Sequence, residues 1–124
     1  MYKRGEIYYV ENNITTGCEQ VGNRPALIIG NDIGNLHSPV LIVVYFTLQP
    51  KKPMPTHVYV HGHGTALCEQ IFTIDKSRIL AKKGECTSRD MERINKALHI
   101  SLGMEEAWQN ERTINTHQFR KQRP

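Results

Sequence analysis

No stretch of this 124-residue sequence stays apolar for long. The longest such run, Val40 to Phe46, falls far short of the roughly 20 residues that carry a helix across a bilayer, so no membrane span is expected. The opening MYKRGEIYYV has two early cations but no apolar core behind them. That excludes a secretory signal and leaves the cytoplasm as the expected location. Cysteine is scarce: Cys18, Cys68 and Cys86 are odd in number and form no C-x-x-C pair, a pattern of reduced thiols rather than a disulfide scaffold. Internal repeats are absent, and no segment is so poor in apolar residues that it demands disorder throughout. Acidic residues are outnumbered, 12 against 16 Lys and Arg, for a formal net charge of +4. This balance leans towards a polyanionic partner without saying which one.

What is present suits one small domain able to bury a core without staples. EIYYV at Glu6 to Val10 reads as a strand, and the polar stretch Glu11 to Asn23 as a long loop. Pro25 to Gly30 is a second strand, with proline at its first position where no ladder donor is needed. Asn31, Asp32, Gly34, Asn35, Ser38 and Pro39 form a dense turn cluster. VLIVVYFT at Val40 to Thr47 is the strongest strand, and its lack of alternation predicts cover on both faces. Pro50, Pro53 and Pro55, with Lys51 and Lys52 among them, mark an exposed connection. His57 to His61 and Thr65 to Ile71 then flank the turn Gly62-His63-Gly64 as a hairpin.

After the hairpin the period changes. Asp75 is placed to cap a short helix, KSRILAKK, that Gly84 closes. Thr87, with Asp90 three residues on, caps a longer helix that puts Met91, Ile94, Leu98 and Leu102 on one face and stops at Gly103. Five strands followed by helices predict an α+β domain, a strongly bent antiparallel sheet with the last helix packed against it. The domain is expected to span residues 1–104. Residues 105–124, with four Lys/Arg against three Glu, read as a solvated extension or mobile tail that carries Trp108 and Phe119.

Metal chemistry finds little support. His61, His63 and Cys68 lack the spacing of a zinc signature. Asn31-Asp32 followed by Gly34-Asn35 lacks the acidic ligands of a calcium loop. Nothing in the sequence links Cys18 to a base. Arg24 is more informative. It closes a polar loop directly before a buried strand, where the bland expectation is an ion pair with Glu19 or Asp32. Thr47 emerges from the end of another buried strand, a basic connection follows it, and Glu69-Gln70 interrupts a third with polar groups.

Several segments resemble one family in order. KRGEIYYV is similar to the opening strand of the MazF/PemK/Kid endoribonuclease toxins, and GCEQVGNRPALIIGNDIGN to their G-x-E-Q-x-G-x-R-P segment with its N-D-x-G-N ending. SPVLIVVYFT, PTHV, LCEQIFTID and NKALHISLG match later signatures at the family's spacing, from about Arg4 to Gly103. The resemblance implies a dimeric, SH3-like β-barrel with a C-terminal helix, cutting single-stranded RNA at a short sequence with no metal or other cofactor. It implies Arg24 and Thr47 as the catalytic pair, with Glu19, Gln20, Glu69 and Gln70 lining the RNA groove. It also implies a cognate antitoxin seated in that groove. Kid-like members carry a histidine before Glu-Gln and an arginine two residues before the later acidic residue. Here those places hold Cys18 and Leu67, which favours the Arg-Thr arrangement of Gram-positive members. Phe72 stands where an arginine is frequent, and the Pro50 to Gly64 region is shorter than in many relatives.

On that reading the substrate supplies its own nucleophile, the 2′-OH, and the protein aligns it and stabilises the added charge. Arg24 offers a rigid donor fork for phosphate oxygens and Thr47 a further donor, with water or Glu19 as the proton acceptor. Cyclic 2′,3′-phosphate and 5′-OH ends are the expected products. Glu19, Gln20 and Gln70 read base edges that only single strands expose, and Lys51 and Lys52 add salt-dependent attraction. The alternative is a noncatalytic binding module on the same barrel, as in the fold-related gyrase poisons. Those act through a C-terminal Trp-Gly-Ile, whereas this sequence closes on RKQRP.

Overall fold

The structure, a computed structural model, describes residues 1–11, 23–49 and 51–104. The expectations for Cys18, Glu19 and Gln20, and for the tail at 105–124, lie outside these residues. The described residues form six strands and two helices: β1 (Glu6–Val10), β2 (Arg24–Ile28), α1 (Asp32–His37), β3 (Val40–Thr47), β4 (His57–Val60), β5 (Gly64–Asp75), β6 (Ile79–Glu85) and α2 (Ser88–Ser101). The strands make one sheet in the order β4-β5-β3-β2-β1-β6, antiparallel at every pairing. Among the described residues no pairing joins β4 to β6, so the sheet is open at its edges rather than hydrogen-bonded into a closed barrel.

β3 shows why its sequence does not alternate. Leu41, Val43 and Tyr45 join one buried cluster with Val10, Ala26, Ile28 and Ile74, while Val44 and Phe46 join another with Ile7, Leu27 and Cys68. The second cluster is closed by α2 through Ile94, Ala97 and Leu98. Thr87 caps that helix, its side chain accepting from the Asp90 N–H at 3.1 Å. The reciprocal half of a capping box is not made; the Asp90 carboxylate instead meets Arg93 Nη1 at 3.2 Å. At the far end Gly103, at φ +75°, sits in a Schellman turn: its N–H donates to Ile100 O and the Met104 N–H to His99 O. Leu102, expected on the buried face, is exposed because it stands at the cap, where the chain turns away.

Two elements differ from expectation. Asp75 does cap a helical turn, its side chain accepting from Ser77 N–H at 2.8 Å, but that 3-10 turn covers only Lys76–Arg78. The rest of KSRILAKK is β6, an edge strand paired with β1 alone. The Asn31 to Pro39 cluster holds the short helix α1, capped by the Asn31 side chain accepting from Gly34 N–H. Asn35 is buried there because its amide donates to Gly30 O at 3.0 Å and Asp32 Oδ1 at 3.2 Å.

Glu6 ties β1 to β6. Its carboxylate accepts from Lys82 Nζ at 3.0 Å, the Lys3 N–H at 2.9 Å and Tyr8 Oη–H at 3.0 Å. Desolvation alone would raise its pKa; the three hydrogen bonds outweigh it and hold the pKa below the usual glutamate value. A carboxyl depressed in the folded state stabilises fully above its unfolded pKa, about 4.3, and that stabilisation is lost as pH falls through the lower folded value. Glu6→Gln is therefore expected to lower stability at pH 7 and to make the fall between pH 5 and pH 3 shallower than in the wild type. Urea unfolding at those pH values measures it, and an unchanged acid limb would show that Glu6 is not a source of it.

Candidate active site

Strand register brings together residues far apart in the chain. Ala26 pairs with Tyr45 and Leu27 with Val44; continuing that register by two residues sets Arg24, the first residue of β2, against Thr47, the last of β3. Directly opposed residues share a face. Both line one cleft of about 910 Å³ with Lys51, His63, Gln70 and Lys83, beside the rings of Tyr9 and Phe46.

The guanidinium of Arg24 lies over the Tyr45 ring, 4.7 Å from its centroid, and Nη2 reaches Phe46 O at 3.4 Å. The ion pair expected for an ordinary loop arginine is not made with Asp32. That carboxylate accepts from the Arg4 N–H at 2.7 Å and from Asn35, which depress its pKa. Among the described residues, an aromatic face and one long carbonyl contact engage few of the five guanidinium N–H groups, and the side chain lines the cleft. Thr47 Oγ1 accepts from the Gln49 N–H at 3.2 Å, which occupies a lone pair and leaves the hydroxyl hydrogen to donate to a ligand.

Gln70 reaches the cleft through an irregularity in β5. Val44 pairs with Ile71 and Phe46 with Ala66, so four residues of β5 stand opposite Tyr45 alone. A bulge of this kind takes side chains out of the pleat and re-aims them. Gln70 turns into the cleft, whereas Glu69 is held beside it: Oε1 accepts from the buried Thr56 hydroxyl and Oε2 meets His57 Nε2, each at 3.0 Å. Burial pushes the Glu69 pKa up, but His57, its own backbone N–H and Thr56 prevail and lower it. His57 Nδ1 contacts Lys52 O at 3.1 Å, so the basic connection is pinned to the same cluster. Neither Glu69 nor Lys52 belongs to the cleft lining.

Several lining residues, Lys83, Tyr9 and His63 among them, are not marked as site residues by the sequence. Lys83 is the extra residue where β6 bulges between its partners Tyr8 and Ile7, and its Nζ lies 4.8 Å from the Tyr9 ring centroid. Reading β6 as helix hid it. Tyr9 is a strand position facing the β2 end at Pro25. His63, a metal-ligand candidate on sequence, packs its ring against Phe46, the centroids 5.9 Å apart. Cys68, the partner drawn for it, is fully buried, and burial pushes its thiol up to about 12, followed by the effect of Glu69. Among the described residues no cluster of three His, Cys, Asp or Glu is placed to hold a metal ion.

Among the described lining residues, then, the charges are Arg24, Lys51 and Lys83, with no carboxylate. The architecture is thus a small antiparallel sheet backed by a C-terminal helix, with a cleft at the strand ends whose charged residues, among those described, are cations. Residues 3–102 match the family of PemK-like, MazF-like toxins of type II toxin-antitoxin systems, and the chain belongs to that family. It is 40% identical over 110 residues to the endoribonuclease EndoA of Bacillus subtilis, covering 82% of this chain and 95% of that protein. Identity to the endoribonuclease MazF of Staphylococcus saprophyticus is 38% over 112 residues, covering 84% and 93%. A mycobacterial endoribonuclease solved in complex with its cognate antitoxin superposes with a TM-score of 0.72 at 28% identity, covering 85% of this chain and 98% of that one. MazF of Deinococcus radiodurans, at 23% identity and a TM-score of 0.69 over 83% and 97% of the two chains, shares the fold.

Proposed function

We propose that this protein is a metal-independent endoribonuclease toxin that cuts single-stranded RNA at a short sequence. The observation that carries the reading is the shared cleft of Arg24 and Thr47, lined by cations and, among the described residues, by no carboxylate. The substrate's 2′-oxygen attacks the adjacent phosphorus as the bond to the 5′-oxygen breaks, leaving a 2′,3′-cyclic phosphate and a 5′-OH. Arg24 places two parallel donors on the phosphoryl oxygens and Thr47 a third, so charge that builds up in the transition state meets groups already oriented towards it. Gln70, with Glu19 and Gln20, reads base edges; Glu69 borders the same groove. Lys51 and Lys52 supply backbone attraction that weakens as salt rises. The active form is a homodimer, and a cognate antitoxin neutralises it by occupying the cleft, in keeping with the antitoxin complex of the mycobacterial relative. The catalytic domain spans residues 1–104.

Purified protein is expected to cut a long unstructured RNA in EDTA and to leave a duplex of the same sequence intact. Sequencing the 5′ ends of the fragments gives the recognition motif. Ligation resistance of those ends until a kinase phosphorylates them reports 5′-OH chemistry. Cleavage that needs a divalent ion, or fragments bearing 5′-phosphates, would overturn the mechanism.

A further inference from the structure

Proton transfer is the part of the reaction that Arg24 and Thr47 leave open. Guanidinium and ammonium groups have no lone pair with which to accept a proton, whereas a neutral imidazole carries an acceptor nitrogen, and histidine is the commonest general base. Among the described lining residues of the cleft the imidazole is His63. The residue stands in the turn between β4 and β5, its backbone N–H donating to Val60 O at 3.0 Å.

Three contacts tie that turn to the catalytic pair. The ring of His63 packs on Phe46, whose carbonyl accepts from Arg24 Nη2. The next residue, Gly64, approaches the backbone of Thr47 so closely that a Cβ there would lie 2.6 Å from Thr47 O. Thr47 itself pairs with Thr65, two residues after His63. The ring also abuts Gly84 of β6, where an added Cβ would lie 3.2 Å from His63 Cε1. The ring is thus held between β3 and β6 rather than swinging freely on a turn. The charged groups that share the cleft with it are Arg24 of β2, Lys51 of the connection and Lys83 of β6; among the described lining residues no carboxylate competes for the ring nitrogens.

We propose that His63 is the general base of the cleavage step, accepting the 2′-OH proton of the nucleotide whose phosphate lies against Arg24 and Thr47. The inference rests on the reading of this cleft as an RNA-cleaving site. As the O2′–P bond forms and the P–O5′ bond breaks, the 2′ proton passes to the neutral imidazole. The departing 5′-oxygen takes a proton from water, and the imidazolium returns its proton to the hydroxide so formed, restoring the resting state.

The test is single-turnover cleavage of a short unstructured RNA in EDTA from pH 5 to pH 8, for wild type, His63→Gln and Arg24→Ala. Wild-type kcat/KM is expected to rise about tenfold per pH unit on the acid side and to level off once the base is deprotonated. His63→Gln is expected to lose about 10²- to 10⁴-fold at pH 7.5 and to lose that acid limb. His63→Ala should regain rate when free imidazole is added. A substrate with sulfur in place of the bridging 5′-oxygen needs no acid for departure, so it should not restore His63→Gln; restoration would assign His63 to the leaving group and overturn the base role. RNA cleavage abolished in Arg24→Ala but retained with its full pH limb in His63→Gln sinks this inference alone. Absence of cleavage by the wild type at every pH removes the nuclease reading and this inference with it. Should His63→Gln melt too low to assay, a flat wild-type profile is sufficient to overturn the proposal.

Discussion

Arg24→Ala is expected to lower RNA cleavage by at least about 100-fold, the scale on which one preorganised transition-state donor acts, while leaving the melting temperature nearly unchanged. The two effects separate because of how the side chain is held. Its contacts among the described residues are the face of Tyr45 and a 3.4 Å approach to Phe46 O, so little folding energy is lost from these when it goes. The same loose tethering leaves its N–H groups for the phosphate. Arg24→Lys keeps the charge but replaces a planar fork with a compact ammonium, and is expected to recover only a small part of the rate. Thr47→Ala removes one neutral donor and should cost less than Arg24→Ala. Cleavage time courses on one RNA, paired with thermal melts of each variant, measure these effects. Arg24→Ala with wild-type activity ends the assignment of this cleft.

How far the sequence foretold this arrangement depends on where each element sits in the sheet. β3 is central, with partners on both sides and clusters on both faces, so burial selected an unbroken apolar run that is readable without a structure. β6 is an edge. Of its seven residues Leu80, Ala81, Lys82, Lys83 and Glu85 are exposed. Lysines on an edge discourage pairing with other chains, but they also erase alternation, and Leu, Ala and Lys are good helix formers. The strand was read as helix for that reason, and Lys83 was lost from the candidate site with it. α1 is too short for its period to show among turn residues. The polar pair Glu69-Gln70 was visible as an interruption of a strand, but not its division. Only the bulge opposite Tyr45 sends Gln70 to the cleft while Thr56 and His57 hold Glu69. The placement of Arg24 against Thr47 likewise depends on the β2–β3 register, a long-range property that no local pattern encodes.

Gly64→Ala is expected to be the most damaging single-methyl change in the described structure, and Gly62→Ala is its control. Both glycines have positive φ, +85° at Gly62 and +109° at Gly64, so both substitutions carry a backbone penalty of roughly 1–2 kcal/mol. They differ in space. Among the described residues nothing lies within 4 Å of a Cβ at Gly62, whereas one at Gly64 would lie 2.6 Å from Thr47 O and 3.1 Å from Leu48 Cδ2. The oxygen is backbone and cannot swing aside. Either the β4–β5 turn or the end of β3 must move, though Gly64 is paired with Val60 and the adjacent Thr65 with Thr47. The loss for Gly64→Ala should be about 3 kcal/mol or more, lowering the melting temperature by about 10 °C or more, against a few degrees for Gly62→Ala. Because the atom displaced belongs to Thr47, cleavage per folded molecule should also fall in Gly64→Ala. Equal melting temperatures for the two variants would mean that the tip of β5 yields freely, and the close approach of turn and strand could then not be what fixes Thr47 in the cleft.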